Sequence, residues 1–97
     1  MHKLIIKPSA ELEATDAAIW YNQKRDGLGN EFLLALEAKI NAIRRNPKQF
    51  IAVYKNIRRT FTERFPYGVF FIIENDVVYV LAILHTSRSP KIWKKRK

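Results

Sequence analysis

The sequence predicts an α+β domain: an N-terminal edge strand and a helical hairpin packed on a small antiparallel β-sheet, with a short C-terminal helix or tail. Three observations predict it. Two apolar runs, Val69 to Ile73 and Val77 to Leu84, flank Glu74-Asn75-Asp76, so they form an antiparallel hairpin at the centre of the sheet. Upstream, apolar residues recur at intervals of three and four on either side of Gly27 and Gly29, as two antiparallel helices require. Leu4-Ile5-Ile6 is closed by Pro8, and a proline cannot donate to a ladder inside a sheet. With 97 residues, 47% of them apolar, the chain builds one core, so residues 1–97 form a single domain.

His2 to Lys7 is the first strand, placed at an edge by Pro8. Ser9 is the expected N-cap of a helix running to about Arg25, and Glu11, Glu13 and Asp16 put negative charge near its start, where the backbone dipole favours it. Ala10, Ala14, Ala17 and Tyr21 recur at intervals of four, three and four, a stripe that permits close approach to a neighbour. Ile19 and Trp20 widen it as packing residues rather than a ligand platform. Asp26-Gly27-Leu28-Gly29-Asn30 breaks the pattern and offers Asn30 as a new N-cap, turning the second helix back on the first. Phe32, Leu36, Ile40 and Ile43 make its inner line. Leu33 and Leu34 add breadth, toward the first helix and the sheet or toward a partner helix. Arg44-Arg45 suit the helix's negative pole, and Pro47 prevents continuation.

Lys48 to Asn56 is a transition tacked to the core by Phe50, Ile51, Val53 and Tyr54. Ile57 to Phe65 alternates, with Ile57, Arg59, Phe61, Glu63 and Phe65 on one side and Arg58, Thr60, Thr62 and Arg64 on a wholly polar other side. Apolar residues on both faces of the following hairpin mark central strands at least partly covered on both sides, with apolar area left beyond the helical hairpin for a partner segment to cover. In Pro90 to Lys97, Ile92-Trp93 can pin the basic tail to the sheet.

Charge is unevenly placed. Of the net +9, residues 1 to 46 hold seven Lys/Arg against six Asp/Glu, and residues 47 to 97 hold eleven against three. The sheet half therefore attracts polyanions, a nucleic acid first and an acidic protein second. There is no cysteine, which excludes disulfide and thiol chemistry, and the two histidines, His2 and His85, are too few for an ordinary zinc site. No metal or other cofactor is expected. No apolar run is long enough to span a bilayer or to serve as a signal-peptide core, so a soluble cytoplasmic protein with no membrane partner is expected.

The polar groups gather at the entry and exit of the hairpin. Tyr67 begins one strand and His85 ends the other, so antiparallel pairing puts them at the same end of the sheet. Metal-free RNA cleavage needs a group to take the 2′-hydroxyl proton, cations for the charged phosphorane and a donor to the leaving oxygen. His85 can exchange protons near neutrality, Arg58 and Arg88 can supply cations, and Tyr67 can orient a phosphate or stack on a base. These four are the candidate catalytic residues. Lys55, Arg59, Arg64, Lys91 and Lys94 are the candidate nucleic-acid contacts. The competing reading of His85 is a structural histidine at a strand end.

The succession Pro8-Ser9-Ala10, Gly27-Leu28-Gly29 with Phe32, Pro47, Ile57-Arg58-Arg59, Phe65-Pro66-Tyr67 and His85-Thr86-Ser87-Arg88 with Pro90 and Trp93 resembles the ParE/RelE superfamily of toxins from bacterial type II toxin–antitoxin modules. The resemblance covers nearly the whole chain. It implies the same α+β fold and a cognate antitoxin, acidic and partly disordered when free, that joins the toxin in a hetero-oligomer. It implies one of two targets: RelE-like members cleave messenger RNA on the ribosome with basic sheet residues and a late Tyr or His, whereas ParE-like members poison DNA gyrase. Arg58 matches a sheet arginine common to both branches. His85 with Arg88 resembles the His-x-x-Arg ending of many ParE chains, and no tyrosine follows His85. The competing class is a non-catalytic basic nucleic-acid-binding protein, or a decayed toxin that retains only antitoxin binding.

Overall fold

The computed structural model describes residues 1–96; Lys97, the last residue of the basic tail, lies outside them. The element order is β1 (Lys3–Ile6), α1 (Pro8–Lys24), α2 (Leu28–Arg45), a 3-10 turn (Pro47–Gln49), β2 (Ala52–Tyr54), β3 (Ile57–Phe61), β4 (Tyr67–Glu74), β5 (Val77–His85) and α3 (Pro90–Lys94). The five strands lie in the order β1-β5-β4-β3-β2. β3, β4 and β5 pair antiparallel as expected, the transition segment adds an antiparallel strand, β2, that was not expected, and β1 is an edge strand but runs parallel to β5, with Lys3 opposite Val77 and Ile6 opposite Val80. The sheet is therefore mixed.

Helix α1 starts one residue before the expected cap. Lys7 takes the N-cap position in extended conformation, and Pro8 fills the first helical turn, where its fixed φ and missing N–H cost nothing. Ser9 is inside the helix. The expected stripe is correct: Ala10, Ala14, Ala17 and Tyr21 are buried. Ile19 and Trp20 do not widen it, since Trp20 is 51% exposed; the neighbour against α1 takes the alanine side, and one residue of helical rotation turns Trp20 out. The second helix begins at Leu28 rather than after Asn30, because Gly27 caps it in the left-handed region at φ 84°. Gly29 sits where α1 and α2 touch: a Cβ there would stand 2.2 Å from the carbonyl oxygen of Ala18. Phe32, Leu36 and Ile43 are buried and Ile40 partly so, whereas Leu33 and Leu34 face outward, Leu34 at 66% exposure.

One core lies between the helical hairpin and the sheet, where Ala10, Ala14, Phe32, Leu36 and Ile43 meet Val69, Phe71, Val78, Val80 and Ile83. On the opposite face Ile57, Phe70, Ile72, Leu81, Ala82 and Leu84 are closed off by α3. The expected pinning residue does this: Trp93 is 6% exposed and stacks on Phe70, ring centroids 4.6 Å apart and planes 20° apart. The strand alternation ends at Phe61 rather than Phe65. Thr62 is buried, not on a polar face, and its hydroxyl donates to the carbonyl of Phe65 at 2.7 Å, forming a corner that Arg64 completes at φ 69°.

Candidate functional site

Register places Tyr67 directly opposite His85, and their rings meet edge to face with centroids 5.4 Å apart. His85 Nδ1 accepts the backbone N–H of Ser87 at 3.0 Å and lies 2.9 Å from the Ser87 hydroxyl. A backbone N–H can only donate, so Nδ1 is an acceptor and the neutral ring carries its proton on Nε2. Arg88 follows on the same loop, its N–H bonded to the carbonyl of His85 at 3.0 Å. Burial raises the pKa of the Tyr67 phenol, partly opposed by Arg88; burial and the nearby Tyr67 raise that of Tyr21. Both are hydrogen-bond donors at neutral pH rather than bases.

Two hollows open at this end of the sheet. A cleft of about 560 Å³ lies between α1 and the ends of β4 and β5, with Asp16, Trp20, Tyr21, Tyr67, His85 and Arg88 among its lining. A smaller one of about 150 Å³, on the α3 face, is lined by Arg59, Phe61, Phe70, His85, Arg88 and Trp93 among others. His85 and Arg88 belong to both, so the site straddles the sheet's end. Arg59 joins it from β3, with its guanidinium 4.7 Å from the Phe61 ring centroid and its buried Nε without a partner.

Tyr67, His85 and Arg88 thus come together, and Arg58 does not join them. It pairs with Phe71, four residues along β4 from Tyr67 and hence about 13 Å away along the strand. Its guanidinium donates to the carbonyls of Phe50 at 2.6 Å and Lys48 at 3.2 Å, tying the 3-10 turn to the sheet. The hollow beside it is lined by Lys48, Asn56, Ile73, Asn75 and Asp76.

The candidate nucleic-acid contacts divide in the same way. Lys55, in the β2–β3 turn, and Lys94, on α3, stand over the Tyr54 ring at 5.3 and 4.8 Å. Lys91 is exposed at the start of α3. Arg64 points to the helix layer, where it donates to Glu31 at 2.8 Å and, ahead of Arg25, lowers the pKa of that carboxyl. Sequence reasoning missed Asp16 and Trp20 as cleft residues; the signal was present, since both fall off the buried alanine stripe. It also missed Arg96, whose guanidinium reaches Glu13 at 2.8 Å, and nothing local in the sequence signals that pairing. Among the described residues no group of three or more His, Cys, Asp or Glu could hold a metal ion, and no helix is long and apolar enough to cross a membrane.

Comparison with known proteins gives matches of two kinds. A solved structure described as the chromosomal ParDE TA system from P. aeruginosa superposes with a TM-score of 0.78 at 13% identity, over 88% of this chain and 96% of that one; at that identity the likeness is one of fold. No curated protein matches. The family model described as "ParE toxin of type II toxin-antitoxin system, parDE" matches residues 4–90, from β1 to the first residue of α3. The chain belongs to the ParE toxin family of type II toxin–antitoxin systems.

Proposed function

We propose that this protein arrests bacterial growth by binding DNA gyrase in the cytoplasm, and that a cognate acidic antitoxin neutralises it. The observation that supports gyrase over messenger RNA is the separation of Arg58 from His85. A metal-free nuclease needs its cations and proton carriers around one phosphate, and here the matched sheet arginine is engaged by two carbonyls, opposite a position about 13 Å along β4 from Tyr67. What stands at the hairpin end is a rigid surface of rings and cations suited to binding. Purified protein should inhibit gyrase supercoiling and leave ribosome-bound messenger RNA intact. Intact supercoiling with cleaved messenger RNA overturns this target.

A second reading retains RNA cleavage, favoured by the convergence of Tyr67, His85 and Arg88 on one cleft. On that reading His85→Ala and Arg58→Ala each lower cleavage by at least about tenfold, the loss of a transition-state contact worth roughly 1.4 kcal/mol. The antitoxin reading rests on family membership, on the charge of +9 and on the apolar side chains left outside: Leu12 on α1 is 62% exposed, and Leu34 lies on α2. These two are on the helical hairpin, and on the sheet half Ile51 and Phe61 are exposed as well. Expression of the chain alone should stop growth, and co-expression of the adjacent reading frame should restore it. Normal growth with soluble, folded protein removes the toxin reading and leaves a decayed module.

A further inference from the structure

Strand β5 is nine residues long, but β1 covers only Val77 to Val80. Pro8 turns the chain into α1, and the last bond of that pairing runs from the Lys7 N–H to the Val80 carbonyl at 2.9 Å. Among the described residues no strand lies beside that side of β5 from Leu81 to His85. An open edge presents backbone groups that need partners, and here two side chains supply them. Glu13 accepts the N–H of Ile83 at 3.1 Å, Arg96 donates to the carbonyl of Leu81 at 3.3 Å, and the two are bonded to each other at 2.8 Å. A helix side chain and a residue following α3 thus stand where a neighbouring strand would stand.

The 560 Å³ cleft opens along this same edge, with Ile83, Leu84 and His85 on one wall and Asp16, Ala17 and Trp20 on the other. We propose that the edge of β5 from Leu81 to His85 is a docking site for an extended segment of the acidic partner, which enters the cleft and takes the Ile83 N–H over from Glu13. The inference rests on the antitoxin reading and adds to it a place and a mode of contact.

Three features select this occupant. The groups on offer are a backbone N–H and a backbone C=O, which a polypeptide in extended form matches one for one. Glu13 is a built-in stand-in for the ligand, an anionic oxygen against an amide and a guanidinium. Arg88 at the mouth and Arg96 at the edge favour a segment carrying carboxylates. A nucleic acid fits less well, since a phosphodiester backbone carries acceptors but no N–H donor to match the carbonyls of a strand edge. The segment's apolar side chains would lie against Trp20 and Tyr67.

Amide hydrogen exchange of the full chain, free and saturated with the protein encoded in the adjacent frame, tests this directly. Ile83 and His85 should gain protection in the complex, and Glu13→Ala should tighten binding by about tenfold, the size of one hydrogen bond no longer competed away. A complex that forms while both amides exchange as in the free protein overturns the docking site and leaves the antitoxin reading standing. The docking site is likewise overturned if Glu13→Ala, shown folded by its thermal transition, binds no more tightly. If no complex forms, the antitoxin reading and the docking site fall together.

Discussion

The two faces of the sheet are covered by very different amounts of chain. One carries a helical hairpin whose buried residues are spread over α1 and α2, so each contributes one part of a broad contact. The other is closed by α3, five residues long, and depends on one ring stacked on Phe70. A broad layer distributes its stabilisation, while a narrow one concentrates it in a single side chain. The functional groups follow this division, since His85 and Arg88 sit where the two faces meet.

The largest expected effect tests that concentration. Trp93→Ala should lower stability by about 3–5 kcal/mol, read from urea unfolding, and should release α3 in hydrogen exchange while the hairpin keeps its protection. A loss below about 1 kcal/mol would mean that the narrow face is held by more than its one ring. On the hairpin face the vulnerable point is spacing rather than area. Gly29→Ala forces a Cβ into the Ala18 carbonyl and should cost about 2–3 kcal/mol, as overpacking of a tight contact does. An unchanged melting temperature would show that α1 and α2 can slide apart.

A smaller effect separates the two ends of β4. Arg58→Ala should cost about 1–2 kcal/mol by leaving two carbonyls without their donor, whereas His85→Ala should stay within about 0.5 kcal/mol. Equal losses in urea would contradict the division of Arg58 into support and His85 into site. The smallest effect is a pH dependence. Tyr21 and Tyr67 both titrate above the ordinary value of 10.0, so the folded state holds their protons more tightly than the unfolded chain. Their contribution is complete below pH 10 and is lost as pH rises through the folded values. Tyr67→Phe should flatten the alkaline limb of a stability–pH curve, and an identical limb would show that Tyr67 plays no part in it.

The helical hairpin was legible because Ala10, Ala14, Ala17, Tyr21, Phe32, Leu36 and Ile43 repeat at the helical period, and β4–β5 because their runs flank a turn. β2 was not legible: three residues beginning with the exposed Ala52 carry no period. The direction of β1 was hidden too, since Leu4-Ile5-Ile6 reads the same for either orientation, and only the crossover through α1 and α2 decides it. For the site, turn pairing was enough to join Tyr67 to His85. Arg58 was drawn toward them by alternation, which reports the face of a strand and not the position along it.

The parallel pairing of β1 with β5 also orders events in time. Lys3 meets Val77, about 70 residues later in the chain, and at the usual rate of synthesis that is a wait on the order of 4 to 14 s. The helical hairpin, made of neighbours, can form during that interval, while the first strand made must be the last to pair. Until β5 emerges, the nascent chain carries Leu4, Ile5 and Ile6 unpaired, and the inner stripes of α1 and α2 lack Val78, Val80 and Ile83 from their core.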